Sequence, residues 1–123
     1  MAVEQPPQSS LRMQVTSAGL GEVCVAVTGD LDVYTAGLLA EQVRETICRH
    51  CPASVLLDLE RLEFIDVAGV RSLQGMHADA AVLDCMLIIR HAPGMMLWIQ
   101  SVLGLDGVFE PPALPERRAE PGS

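Results

Sequence analysis

One junction in the sequence joins an acidic side chain to the start of a predicted helix. Asp66 follows an apolar segment and precedes a run in which apolar residues recur at helical spacing. A carboxylate at such a position accepts hydrogen bonds from the free N–H groups of the first turn. The positive end of the helix dipole also favours a phosphate carried by a hydroxyl at the first helical position. That position is Val67, which has no hydroxyl, so a simple helix cap and an exposed corner that binds a partner both remain open.

Two cysteines, Cys48 and Cys51, have the spacing of a redox pair or of half a zinc site. Redox pairs of the thioredoxin type begin a helix, whereas these two cysteines lie where one ends. No second pair with ligand spacing occurs among the other cysteines and histidines, so we expect no metal site. We predict free thiols, with regulation by a disulfide as the alternative.

The remaining polar candidates favour structure over catalysis. Asp30 and Asp32 lie two residues apart at a strand end, where carboxylates cap turns more often than they transfer protons. His77 falls on the apolar face of a predicted helix and is interpreted as a core or boundary residue. No nucleophile with a neighbouring base, phosphate-binding loop or metal set is found. We therefore predict a binding module without a cofactor and not an enzyme.

Apolar periodicity indicates the elements that position these residues. Alternation and short apolar runs predict strands over residues 11–15, 22–28, 54–59, 85–90 and 107–109, while helical spacing predicts helices over about 36–49, 67–81 and 93–104. Thr35 is the expected cap of the first helix, and Pro93 is placed in the first turn of the third. The strands over 54–59 and 85–90 are expected to be buried. Four residues are expected to pack inside, with an exposed patch as the alternative for the second and fourth: Met86, Met95, Met96 and Trp98.

The element order β-β-α-β-α-β-α-β predicts an α/β sandwich with right-handed crossovers. Residues 11–110 form the predicted domain. Residues 1–10 and the proline-rich residues 111–123 are expected to be flexible tails.

Composition narrows the functional classes. Sixteen acidic and eight basic residues give a formal charge of −8, with no basic stretch that could follow a phosphate backbone. Direct nucleic-acid binding is therefore not expected. The sequence has neither a signal peptide nor an apolar segment long enough to span a bilayer, so we expect a cytoplasmic protein without membrane insertion.

Three separated motifs carry a family resemblance. The run LLDLERLEFIDVAGVRSL, residues 56–73, resembles the signature of STAS domains, in which Asp-Ser-Ser-Gly-Leu opens a helix. The run TGDLD, residues 28–32, is similar to the family's Thr-Gly-Glu-Leu-Asp segment. The Ala-Pro at 92–93 and the Leu-Gly-Leu at 103–105 resemble the last helix of the family and the link that follows it. The likeness covers about residues 11–110.

The resemblance implies a STAS-like fold with a mixed sheet of about 4–5 strands and 3–4 helices. It also implies an anti-sigma factor antagonist, which binds an anti-sigma factor, usually a serine kinase with a GHKL-type ATP site, and so frees a sigma factor for transcription. The partner-binding residues that we carry over or place beside the matching motifs are Asp30, Asp32, Tyr34, Thr35, Asp66, Val67, Ala68, Gly69 and Arg71.

The chain departs from this family at its regulatory position. In antagonists of this type, phosphorylation of the first serine after the aspartate blocks binding, but here Val67 and Ala68 replace the two serines. Arg71 also replaces a small residue. Val67 either locks the protein in its binding form or marks a changed function. The alternative is a STAS subunit of a lipid-transport or stress-signalling complex that docks on an ATPase or scaffold.

Overall fold

A four-stranded mixed sheet and three helices make up the part of the chain that the computed structural model describes, residues 11–19 and 21–109. The expected flexible tails, residues 1–10 and 111–123, lie outside the described residues. Glu110, which was assigned to the predicted domain, also lies outside them. The elements follow the order β-β-α-β-α-β-α. They are β1 (Leu11–Gly19), β2 (Glu22–Leu31), α1 (Ala36–His50), β3 (Ser54–Ile65), α2 (Val67–Val82), β4 (Met86–Arg90) and α3 (Gly94–Leu103).

The sheet has the order β1-β2-β3-β4. The first two strands form an antiparallel hairpin, while β2 and β3, and then β3 and β4, run parallel. The pairing of Leu31 with Ile65 brings the carboxyl ends of β2 and β3 level with each other. The predicted mixed sheet is thus confirmed, and the two motifs that begin at these strand ends lie side by side.

The core lies between the sheet and its helices. Val23, Val25 and Val27 of β2 are buried and the residues between them are partly exposed, as strand geometry requires when one face is covered. Ser54 to Leu57 are buried without alternation, so the first half of β3 is buried on both faces as predicted, whereas most residues from Glu60 to Phe64 are exposed. In α1, the predicted apolar face of Leu39, Val43 and Ile47 is buried.

The predicted last strand over residues 107–109 is wrong. The N–H of Leu105 donates to the carbonyl of Gln100 at 2.7 Å and the N–H of Val108 donates to the carbonyl of Leu105 at 3.1 Å, so the chain turns after α3. Phe109 is buried and packs edge-on against His77, with ring centroids 5.8 Å apart. This contact agrees with the prediction of a core or boundary role for His77.

Three further expectations near the end of the described chain need correction. Pro93 is the N-cap residue of α3 and not part of its first turn, since its backbone is extended. The strand β4 is only partly buried, because it lies at an edge of the sheet and Met86 and Arg90 are exposed. Met86 was therefore wrongly expected to pack inside, whereas Met96 does so as predicted. Met95 and Trp98 are more than half exposed, which is the alternative stated for them.

A hydrogen bond between Asp58 and His91 joins β3 to the residue after β4. Asp58 Oδ1 lies 3.0 Å from His91 Nδ1 and also accepts a hydrogen bond from the N–H of Glu60 at 3.0 Å. Burial alone raises the pKa of the Asp58 carboxyl, but these hydrogen bonds together with the charges of His91 and Arg90 hold it below its ordinary value. Ionised Asp58 therefore stabilises the end of β4.

Close packing fixes the start of α2 against the end of β2. A Cβ atom on Gly69 would lie 2.5 Å from the carbonyl oxygen of Leu31 and 2.9 Å from Cγ1 of Ile65. Only glycine fits at this distance, because a backbone oxygen in a sheet cannot easily move away. No helix within residues 11–19 and 21–109 is long and apolar enough to cross a membrane.

Gly69→Ala should lower the free energy of unfolding by about 1–3 kcal/mol through overpacking against Leu31. The matched control is Gly75→Ala in the same helix, where a new Cβ would meet no atom within 4 Å. That control should raise stability by up to about 1 kcal/mol, because alanine favours a helix more than glycine does. Urea unfolding of both variants measures the difference, and equal stabilities would contradict the close approach.

Asp58→Asn should destabilise the protein by about 1 kcal/mol or less above about pH 5, because the pair is partly exposed. A carboxyl whose pKa is lowered on folding contributes stability when it is ionised, and this contribution disappears as the pH falls through the lowered pKa. Chemical unfolding between neutral and strongly acidic pH should therefore show the two proteins converging in acid. Asp79→Asn, which changes an exposed carboxylate of α2, serves as the control. A difference that does not depend on pH would contradict this role.

Candidate functional site

Two segments form one corner at the carboxyl ends of the parallel strands β2 and β3. The first is the loop of residues 32–35 between β2 and α1, and the second is the junction of residues 66–71 between β3 and α2. Because the two strands are neighbours, their following loops must emerge at the same edge of the sheet. We call the surface formed by residues 30–35 and 66–71 the β2–β3 corner.

Asp66 caps α2 as its position in the sequence predicted. Its backbone is extended, and its Oδ1 accepts a hydrogen bond from the N–H of Gly69 at 2.9 Å. Its carbonyl accepts from the N–H of Val70 at 3.0 Å and begins the helical ladder. The carboxylate therefore has a structural partner, and the side chain of Val67 projects from the next position with 45% of its surface exposed.

Arg71 lies one helical turn after Val67, so the two side chains share a face of α2. Arg71 is exposed and forms no ion pair with any residue that the structure describes. Ala68, between them, is only partly exposed. The helix start thus offers an apolar contact and a free positive charge on one side.

Asp32 organises the loop between β2 and α1. Its Oδ1 accepts hydrogen bonds from the N–H groups of Tyr34 at 2.9 Å and Thr35 at 3.1 Å. Its carbonyl accepts from the N–H of Ala36 at 2.9 Å. The carboxylate thereby caps the turn that leads into the helix, in agreement with the structural interpretation of this residue.

The prediction that the Thr35 side chain caps α1 is wrong. Thr35 occupies the N-cap position, but its hydroxyl makes no capping bond. It donates to the carbonyl of Asp30 at 2.7 Å and accepts from the N–H of Asp32 at 3.0 Å. Both partners of the hydroxyl lie at the end of β2 or directly after it, so Thr35, which is 1% exposed, ties the loop back to β2.

Gly69 connects the two halves of the corner. Its contact with the Leu31 carbonyl places the first turn of α2 directly beside the residue that precedes Asp32. A larger side chain would push the two segments apart. All nine sequence-predicted partner-binding residues therefore belong to one continuous region, in which Thr35 and Gly69 are buried supports.

The sequence interpretation missed two exposed apolar residues, one in the β2–β3 corner and one in β3 next to it. Val33 is 66% exposed on the loop and Phe64 is 50% exposed near the end of β3, beside Tyr34 at 78% and Val67 at 45%. Phe64 is paired with Asp30 in the sheet register. No local sequence signal marks their exposure, because Leu31 and Ile65 at the same two strand ends are apolar and buried.

Cys48 and Cys51 lie at the carboxyl end of α1, as predicted. Both are exposed and not joined by a disulfide, and Cys51 has a left-handed backbone that ends the helix. Cys85 is buried, and burial raises the pKa of its thiol, which makes it less reactive.

One set of side chains has the composition of a metal site within the described part of the chain. The possible ligand atoms of Asp58, Glu60 and His91 all lie within 4.8 Å of one another. Asp58 and His91 are already hydrogen-bonded together, and Arg90 adds a positive charge nearby. This arrangement is explained by the ion pair that holds β3 to β4.

Comparison with known proteins agrees with this geometry. The family model described as "Mlab, STAS domain" matches residues 15–114. The structure is also similar to SpoIIAA, an anti-sigma factor antagonist, in its unphosphorylated form, with a TM-score of 0.65 and 19% identity over 86% of this chain and 91% of that one. The Bacillus protein SpoIIAA in its phosphorylated form gives a TM-score of 0.62 and 20% identity over 86% and 95% of the two chains.

An anti-sigma factor antagonist from Mycobacterium paratuberculosis is similar to the same degree. Its TM-score is 0.65, with 23% identity over 87% of this chain and 90% of that one. Identities at this level show a shared fold. With the family model covering most of the sequence and both motifs meeting at the β2–β3 corner, the chain belongs to the STAS domain family.

Proposed function

We propose that the protein is an anti-sigma factor antagonist that binds an anti-sigma factor through the β2–β3 corner and so frees a sigma factor for transcription. In this proposal it is a cytoplasmic binding protein without a cofactor and not an enzyme. Similarity in fold to SpoIIAA and to the mycobacterial antagonist supports this function.

The observation that carries the proposal is the exposed surface of the corner. Val33, Tyr34 and Val67 present apolar area around hydrogen-bonded carboxylates and beside the free charge of Arg71. Exposed apolar groups with a polar rim are typical of protein interfaces. The surrounding loops are fixed by capping bonds, so the surface is preorganised and little conformational entropy is lost on binding.

The partner in this proposal is a serine kinase with a GHKL-type ATP site. Such a kinase would dock on the corner but find no acceptor at the first helical position, because Val67 and Ala68 have no hydroxyl. A phosphate at this position would place about two negative charges in the interface. Val67 therefore keeps the antagonist in its binding form, and its activity must be controlled in another way.

A second candidate function is supported by the description of the matching family model, which names Mlab. In this alternative, the same corner docks on the ATPase or scaffold of a lipid-transport or stress-signalling complex. The corner's geometry fits both candidates, so the identity of the partner distinguishes them. Affinity for an anti-sigma factor together with release of its sigma factor would favour the first.

Val67→Ser should make the protein a substrate of the anti-sigma kinase, whereas the wild-type chain should bind the kinase and take no phosphate. With ATP, the serine variant should lose affinity by about tenfold or more, because the phosphate adds charge to an apolar contact. Mass spectrometry after incubation with kinase and ATP measures the modification, and calorimetric titration measures the affinity.

Val82→Ser provides the matched control, since Val82 is an exposed valine at the other end of α2. This control should take no phosphate and should bind as the wild-type protein does. Phosphate on the wild-type chain would contradict the locked state. A wild-type protein that binds no anti-sigma factor would refute the proposed function.

The double variant Cys48→Ser with Cys51→Ser should bind the partner with unchanged affinity under both reducing and oxidising conditions. The two thiols lie at the carboxyl end of α1 and outside the β2–β3 corner. If oxidation weakens binding of the wild-type protein but not of the double variant, regulation by a disulfide replaces our expectation of free thiols. Titrations in parallel with and without reductant make this comparison.

A further inference from the structure

Helix α3 carries apolar side chains on its outer surface. Met95, Trp98 and Val102 are 57%, 63% and 63% exposed and recur at the spacing of one helical face. Leu97 adds a fourth exposed apolar side chain at 55%. We call these four residues the α3 face.

The opposite side of this helix is firmly anchored. Met96 and Ile99 are 1% and 4% exposed and belong to the core. The side chain of Gln100 donates to the carbonyl of Leu105 at 3.2 Å and closes the carboxyl end. The α3 face is therefore held rigidly at the surface, and its exposure does not come from a loosely attached helix.

Charge distinguishes the α3 face from the rest of the molecule. No charged residue occurs from Ala92 to Leu105, although charged residues make up 20% of the chain and give it a net charge of −8. Two copies of such an acidic protein repel each other over most orientations. The repulsion is weakest where uncharged surfaces meet, which favours contact through α3. The same net charge disfavours an anionic lipid surface.

We propose that the α3 face is the interface of a symmetric homodimer, in which it packs against the same face of a second copy. A twofold interface must be complementary to itself, and an apolar surface without charges meets this requirement. This inference does not depend on the proposed function at the β2–β3 corner.

The available area predicts a weak dimer. One free aromatic side chain presents about 150–250 Å², so four large side chains that are more than half exposed offer on the order of 400–500 Å² in each copy. Two copies would then bury on the order of 1,000 Å², which is near the lower limit of a specific interface. We therefore expect association in the micromolar range, with Trp98 as the central contact.

Trp98 also provides a direct measurement, because it is the single tryptophan of the chain. In sedimentation velocity, the full-length protein should change from monomer to dimer as its concentration rises through the micromolar range. Over the same range the tryptophan emission should shift to shorter wavelength, as Trp98 leaves water. The two changes should share one midpoint.

Val102→Glu should weaken this association by about tenfold or more, because it places an unpaired carboxylate from each copy in an apolar interface. The variant keeps Trp98, so its emission should remain that of an exposed tryptophan at every concentration. Val82→Glu changes a valine on α2 that is more exposed, at 81% against 63% for Val102, and should dimerise like the wild-type protein. Circular dichroism checks that both variants are folded.

Several results would overturn the proposal. These are a wild-type protein that stays monomeric, a dimer that Val102→Glu leaves intact, or equal weakening by Val82→Glu. A short-wavelength emission already present in the monomer would show that the chain itself covers the α3 face. A monomeric protein whose emission shifts only with phosphatidylcholine vesicles, or only with an anti-sigma factor, would assign the face to lipid or to a different protein.

Discussion

The approach of Gly69 to the carbonyl of Leu31 is the constraint on which the β2–β3 corner depends. It joins the end of β2 to the start of α2, the helix that follows β3. The two segments are so close that a Cβ atom at residue 69 would not fit. Asp66 and Asp32 then fix the two segments by binding N–H groups at each side of the contact. The site is thus held by backbone geometry, and its exposed side chains can vary without loss of the architecture.

Much of this architecture can be predicted from the sequence because it rests on local rules. Apolar periodicity predicted the order of strands and helices along the chain up to Leu103. An aspartate before a helical pattern indicated the Asp66 cap. Thr35 occupies the N-cap position, but its hydroxyl bonds back to the backbone of Asp30 and Asp32 and not to the first turn of α1, which no local pattern indicates. The last predicted strand is wrong because the chain turns after α3 and places Phe109 against His77, a contact that no local pattern indicates.

Features that depend on tertiary contacts were beyond such rules. The pair of Asp58 and His91 joins residues from two strands, and no local spacing indicates it. The exposure of Val33, Phe64 and Trp98 is likewise set by which element covers them, since apolar residues of similar spacing are buried elsewhere in the chain. These exposed residues are the ones most directly connected to the two proposed interfaces. Sequence patterns therefore locate the supporting residues of a surface better than its contact residues.

The β2–β3 corner and the α3 face are two surfaces of the molecule with different chemistry. The corner has a polar rim, whereas the α3 face carries no charge. The most direct test of the central claim is an NMR titration of the isotope-labelled protein with an anti-sigma factor. Amide shifts should change most at residues 31–36 and 66–71, because the partner contacts the β2–β3 corner. Changes concentrated on other elements, with these amides unaffected, would contradict the account.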